Sequence, residues 1–276
     1  MRQTFFVLGL LTALGCGNGG TDGVGGSTST GPTSTSHTGT AVGTTTTGGG
    51  SGVLGPSAKV RIVNLVPGLT FDAWGADTTK KPLNVKTGIA YGAISDYFEA
   101  PLDPLTSNPT FVLLPTGVMP DTTAFWQINA AMGPDRGLIQ VSDLHAAGEH
   151  ATLILTLDPG MTNLSYETLD ESSLPANDPA QATIHLAERI DDLPGGVVRA
   201  FAVAPPQCFI TGSVATPDTW HVPAGMFELG VYDLQSASDC SVKLAGTQLD
   251  VAAGADELVV VYHEASTIKF LSAPIQ

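Results

Sequence analysis

The chain has 276 residues, enough for one large or two small domains that bury their own cores without metals or a dense set of disulfides. Its formal net charge is −15, and the excess lies wholly in residues 57–276, which hold 10 basic against 25 acidic residues. A surface of that sign repels phosphate backbones, so a sequence-independent nucleic-acid role lacks its main attractive term and no nucleic-acid partner is expected.

At the amino terminus, Arg2 supplies a positive n-region and residues 5–11 an apolar h-region, and Ala13-Leu14-Gly15-Cys16 brings small residues to a cleavage site. At ~1.5 Å per helical residue, residues 5–15 reach only about half of a ~30 Å hydrocarbon core. Residues 1–15 therefore read as an export signal and not as a membrane span. Those last four residues resemble the lipobox of bacterial lipoproteins, with Ala13 in place of the commoner leucine. The resemblance implies that Cys16 is acylated on sulfur and becomes the new amino terminus, making the membrane a partner through a lipid anchor. Ordinary secretory cleavage after Gly15 is the alternative. Gly17, where an aspartate would favour inner-membrane retention, implies an outer-membrane protein on the periplasmic face or the cell surface.

Of the 40 residues from 17 to 56, 30 are Gly, Ser or Thr. So few apolar side chains cannot form a core, and residues 16–56 are expected to be a lipidated cysteine followed by a disordered linker. As a flexible coil it would span roughly 35 Å between its ends. The run Thr44-Thr45-Thr46-Thr47 could carry O-linked sugars, or be plain linker.

Beyond residue 56, short β-branched and aromatic segments recur between clusters of Gly, Pro, Asp and Asn, which predicts an all-β body. Strands are expected at 59–62, 69–74, 94–98, 110–114, 124–129, 138–141 and 151–157. A linker over 170–179 precedes a second set at 183–186, 197–204, 209–214, 219–222, 226–232, 241–244, 258–262 and 267–271. The alternation in Lys59-Val60-Arg61-Ile62 and in Thr183-Ile184-His185-Leu186 is that of strands with one buried face. The expected architecture is two tandem β-sandwich, immunoglobulin-like domains over 57–169 and 180–276.

The two halves resemble each other. Asp96-Tyr97-Phe98-Glu99-Ala100-Pro101 is similar to Asp218-Thr219-Trp220-His221-Val222-Pro223. Ala146-Ala147-Gly148 before Ala151-Thr152-Leu153-Ile154-Leu155 mirrors Ala252-Ala253-Gly254 before Glu257-Leu258-Val259-Val260-Val261. The offset between them falls from 122 to 106, which puts about 16 extra residues in the first half, around 118–136. The stretches 58–67, Phe71-Asp72-Ala73-Trp74 and 90–97, with Ala147-Gly148 before a strand, resemble bacterial domain of unknown function 4397. The resemblance covers most of 58–158 and more weakly 182–264, where the Tyr91-Gly92 element has no clear counterpart. It implies a secreted or surface β-sandwich, often in tandem, and brings no catalytic residues. Gly92 suits a turn or a close backbone approach, and Tyr91 and Trp74 large packing contributions.

Chemistry is sparse. Cys208 and Cys240 are the two cysteines left after Cys16, and an even count in an oxidising compartment favours a disulfide, with two buried free thiols as the alternative. His145, Glu149 and His150 have the wrong spacing for helical zinc motifs and read as a solvated loop. Asp191-Asp192 and residues 233–239 lack the regular acidic spacing of a calcium loop. No nucleophile elbow, phosphate loop or dinucleotide fingerprint occurs. The expectation is a non-enzymatic envelope lipoprotein, without metal or cofactor, that acts in adhesion or as a structural module on an envelope protein or glycan. The alternative is a carbohydrate or small-ligand module stacking sugars on Trp126 or Trp220, with an envelope hydrolase less favoured.

Overall fold

The computed structural model describes residues 52–120, 124–125, 133–142, 144–158, 160–174, 179–189, 199–203, 207–210, 218–233 and 242–275. Of 199–203, 207–210, 218 and 233 it describes the backbone alone. Cys16, linker residues 17–51, Trp126, Asp191-Asp192 and Cys240 lie outside these residues; the end of the expected linker is ordered on the body, where Val53 O and Pro56 O accept from Thr78 N–H and Leu102 N–H, each at 2.9 Å.

The structure is all-β. In the first half the described strands are β1 (Ser57–Asn64), β2 (Phe71–Ala76), β3 (Pro82–Ile89), β4 (Ala93–Ile94), β5 (Phe98–Pro101), β6 (Thr110–Pro115), β7 (Gly137–Gln140), β8 (His150–Leu157) and β9 (Leu164–Asp170). One sheet runs β5-β1-β8-β9, with β4 beside the end of β1, and the other runs β3-β2-β6-β7. Between them Val60, Ile62, Phe71, Phe111, Leu113, Ile139, Leu153 and Leu155 form the first core, each at most 1% exposed. Phe98 and Phe111 meet edge to face across it, 5.4 Å between centroids.

The second half holds β10 (Gln181–Arg189), β11 (Arg199–Val203), β12 (Gln207–Ile210), β13 (Asp218–Pro223), β14 (Gly225–Asp233), β15 (Lys243–Val251), β16 (Asp256–Glu264) and β17 (Thr267–Pro274). Its sheets run β13-β10-β16-β17 and β12-β11-β14-β15, so apart from β4 each strand repeats the pairing of its counterpart in the first half. The repeat extends to single hydrogen bonds. Gly148 N–H donates to Ser57 O at 3.0 Å and Gly254 N–H to Gln181 O at 2.7 Å. Both glycines have positive φ, +89° and +74°. Pro101 lies opposite Ser57 as Pro223 lies opposite Gln181.

The sandwich packing is as expected, but the strand order is not the immunoglobulin-like one, in which the first strand sits at a sheet edge. Here β1 and β10 are central and run parallel to β8 and β16. The reason is burial on both faces. Ala58, Val60 and Ile62 enter the first core, while Val63 enters a different apolar cluster on the other side of the sheet. A strand buried on both faces is stable only inside a layer.

Two strands escape the sequence pattern. β3 is half-buried or exposed at every position but Ile89, and β9 is likewise an edge strand, so neither shows the clean alternation of a half-buried strand. The strand expected over 94–98 is broken into β4 and β5. Ser95 causes the break: its hydroxyl accepts from Ile62 N–H at 3.0 Å and its own N–H donates to Ile62 O at 2.8 Å. The strand expected at 241–244 runs instead over β15.

That second apolar cluster joins the two sandwiches. Val63, Ile154 and Leu169 from the first meet Ala187, Leu258, Val260 and Tyr262 from the second. The sheet containing β1 thus has the first core on one face and this seam on the other, and the sheet containing β10 likewise separates the seam from the second core. Residues expected as a linker are part of it: Leu174 packs on the seam and Glu171 is 8% exposed within it. Tyr91 meets Tyr262 edge to face at 6.5 Å.

Gly92 makes a close backbone approach at the seam. Its φ is +66°, its N–H donates to Asn64 O at 2.8 Å, and a Cβ there would lie 2.9 Å from Tyr262 Oη. Gly92→Ala is expected to destabilise the protein by about 1–2 kcal/mol, from left-handed strain plus displacement of Tyr262. Urea denaturation of the two proteins measures it, and an unchanged midpoint refutes the close-approach account.

Candidate functional site

Two places concentrate chemistry. The first is the polar end of the seam. Arg61 on β1, 2% exposed, donates through Nε to Thr152 Oγ1 at 2.7 Å, through Nη1 to Pro274 O at 2.7 Å and through Nη2 to Glu171 Oε1 at 3.1 Å. Tyr97 supports it from below, its ring centroid 4.8 Å from the guanidinium and its hydroxyl donating to Glu171 Oε2 at 2.5 Å. The Thr152 hydroxyl also donates to Glu171. Asp170 caps the 3-10 turn Glu171–Ser173 by accepting from Ser172 N–H at 3.0 Å, which fixes the Glu171 backbone. One guanidinium therefore ties β1, β8, the turn after β9, and β17 of the other sandwich.

Titratable groups of the second sandwich continue this end. His185 is 1% exposed, with Nδ1 3.1 Å from Thr219 Oγ1 and Nε2 facing Asp256 Oδ1 at 3.7 Å, beyond hydrogen-bond reach. Neither of those facing atoms has a hydrogen-bond partner among the described residues. Burial lowers the His185 pKa below its ordinary value, against the pull of Asp256. Burial likewise raises the Glu257 carboxyl, against a hydrogen bond from Ser272 and the charge of Arg61.

The second place is a groove of about 530 Å³ on the outer face of the sheet β3-β2-β6-β7. Val112 and Leu138, outward neighbours on β6 and β7, belong to its lining, together with Pro101 at the end of β5 and Leu102, Pro104 and Leu105 from the β5–β6 connection. Phe125 also lines it and packs on Trp74, Val112 and Leu114, so Trp74 serves this outer layer and not the core between the sheets. Lys80, Asp103 and Thr110 are the polar lining groups, and Leu105 is 92% exposed. Asp103 Oδ1 accepts from Leu105 N–H at 2.8 Å, which sets the shape of this turn.

The remaining candidates take structural places. Glu149 Oε2 accepts from the N–H groups of His145 and Ala146 at 2.7 and 3.0 Å, which holds its pKa below the usual glutamate range. His145 Nδ1 lies 2.9 Å from Asn108 Oδ1, and His150 stacks at a tilt on Tyr97, so the three residues do not converge. Among the described residues no group of three His, Cys, Asp or Glu could hold a metal ion. Trp220 is half-buried against the second core. Cys208 lies on β12, where the backbone alone is described.

Residues 58–64 and 71–74 are strand, and within these stretches the side chains of Asn64 and Asp72 close turns. Asn64, fully buried, donates to Leu69 O and Ile89 O at 2.9 and 3.0 Å and accepts from Val66 N–H at 2.9 Å. Asp72 accepts from Gly88 N–H, Thr116 Oγ1 and Gly117 N–H, tying two hairpin ends together. Neither the Arg61 cluster nor the groove was read from the sequence. A lone arginine in a β-branched strand was the one available sign of the former.

No family model and no curated protein matches the chain. Among solved structures it is similar to a carbohydrate-binding module of family 26 from Eubacterium rectale, solved with maltoheptaose, at 10% identity and TM-score 0.24, over 78% of this chain and 96% of that one. It is also similar to the fimbrial anchor protein Mfa2 from Porphyromonas gingivalis, at 8% identity and TM-score 0.19, over 79% and 96%. A candidate cell adhesion protein from Bacteroides uniformis matches at 8% identity and TM-score 0.22, over 80% and 96%. At these values the site is read from the chain's own residues.

Proposed function

We propose that this chain is a lipid-anchored protein of the outer membrane whose body is a non-enzymatic adhesion or structural module. The observation that carries the reading is the seam. The apolar layer between the sandwiches and the buried Arg61 cluster favour a stiff unit over two beads on a hinge. A stiff unit on a Gly/Ser/Thr-rich tether suits a protein that holds or spaces something at an envelope surface. Kinship with domain of unknown function 4397 is part of the proposal, supported by residues 58–67 and 71–74, which build the first sandwich. A glycan reading would rest on Trp126, since Trp220 is packed against a core.

The anchor is tested in cells. Several acyl chains at Cys16, each buried CH2 contributing ~0.8 kcal/mol, hold the chain in the membrane fraction. Cys16→Ser is expected to move it to the soluble fraction, and unchanged membrane association refutes the anchor. The adhesive or structural role is tested by photo-crosslinking in intact envelopes. Reproducible adducts with particular envelope components are expected; a chain that stays in the membrane fraction and yields no adduct defeats that role.

A further inference from the structure

We propose that the groove lined by Val112, Leu138 and Leu105 is the docking surface for an extended, basic segment of a protein partner, which seats an aliphatic side chain in it. The inference rests on the adhesive reading above in assigning the surface to a protein.

The lining decides the kind of side chain. Val112 and Leu138 are aliphatic, Pro101, Leu102 and Pro104 add rigid apolar surface, and Phe125 is the single aromatic ring among the described lining residues. Sugar recognition needs ring faces and several hydrogen-bonding groups, whereas a leucine or isoleucine needs only a dry, preformed slot. Leu105 at 92% exposure and Leu138 at 43% leave apolar surface for such a side chain to cover.

Charge decides the partner. The whole acidic excess, 15 charges, lies in residues 57–276, so a second copy is repelled at long range and a cationic chain is drawn in. At the groove Asp103 turns one carboxylate oxygen to Leu105 N–H, and Oδ2 has no hydrogen-bond partner among the described residues. That oxygen is the local acceptor for a lysine or arginine flanking the seated side chain.

The test uses the full chain, solubilised in detergent, and short labelled peptides alternating lysine with leucine, glutamate with leucine, or lysine with serine. Fluorescence anisotropy is expected to show saturable binding of the lysine–leucine peptide and much weaker binding of the other two. Leu105→Ser and Leu138→Ser should each weaken it by about tenfold. Asp103→Asn, which keeps the turn hydrogen bond, should weaken it and lower its dependence on salt. Met226→Ser, at a residue 75% exposed on the second sandwich, should leave it unchanged. Leu105 is so exposed that its replacement does not endanger folding. Equal binding of the glutamate–leucine peptide overturns the charge assignment, and binding indifferent to Leu105→Ser and Leu138→Ser overturns the site. No peptide binding, or self-association in sedimentation that Leu105→Ser abolishes, overturns the partner. Each of these failures leaves the envelope photo-crosslinking result untouched, so the two readings fail separately.

Discussion

Arg61→Met is expected to cost the fold about 3–5 kcal/mol, the largest effect of any single substitution considered. The methionine fills much of the space, so the loss is not chiefly a cavity. It comes from Glu171, a side chain with no exposed surface, left without its cation. Tyr97 and Thr152 still donate to that carboxylate, which lessens the penalty without removing it. Pro274 O loses its donor as well, so β17 is loosened from the first sandwich. The mechanism has its own check. Adding Glu171→Gln to Arg61→Met should recover part of the stability, because the stranded charge is then gone. A urea series on the three variants measures the coupling. If the double variant is as unstable as the sum of the singles, the ion pair is not what Arg61 contributes.

Acidification from pH 7 is expected to lower stability below about pH 6.5, at up to about 1.4 kcal/mol per pH unit for one proton. The group responsible is His185. Its folded pKa is depressed by burial, so as pH falls through the unfolded value the unfolded chain takes up a proton that the folded chain refuses. The loss therefore accumulates from the unfolded pKa down to the folded one, and then stops. Groups facing His185 set how far this extends: Asp256 and Glu171 favour the charged ring, His221 opposes it, and Thr219 holds Nδ1. Glu257 acts in the opposite sense. Its folded pKa is raised, so between that value and the ordinary 4.5 the folded chain binds the extra proton and stability is regained as pH falls. His185→Gln keeps a partner for Thr219 and should flatten the upper part of the profile. Glu257→Gln should remove the regain and steepen the loss at lower pH. Denaturant midpoints at half-unit pH steps would show it, and an unaltered slope in His185→Gln would refute the assignment.

Much of the body was legible because strands carry their pattern locally. The strands at 59–62 and 183–186, and the turn glycines at 148 and 254, appear in the structure where the sequence puts them, although both strands are buried on both faces. The duplication was legible for the same reason, since Pro101 and Pro223 keep equivalent registers. Edge strands β3 and β9 were not, because with little burial they carry little hydrophobic period. The groove was invisible because Leu138, Val112, Pro101 and Leu105 come from separate elements, and their neighbourhood exists only after the sheet forms.

The sharpest division falls on the polar face of β1 and β10. By itself the sequence determined that two faces of these strands differ, since Lys59, Arg61, Thr183 and His185 alternate with apolar residues. A period of two says nothing of what each face meets, and solvent is the ordinary assumption for the polar one. Tertiary structure decided otherwise: Arg61, Thr183 and His185 are all buried, Arg61 against the opposite sandwich. The contact from Arg61 to Pro274 spans 213 positions of chain. Only the folded stack brings those atoms together, and only there does a lone arginine become the centre of an ion pair and not a solvated surface charge.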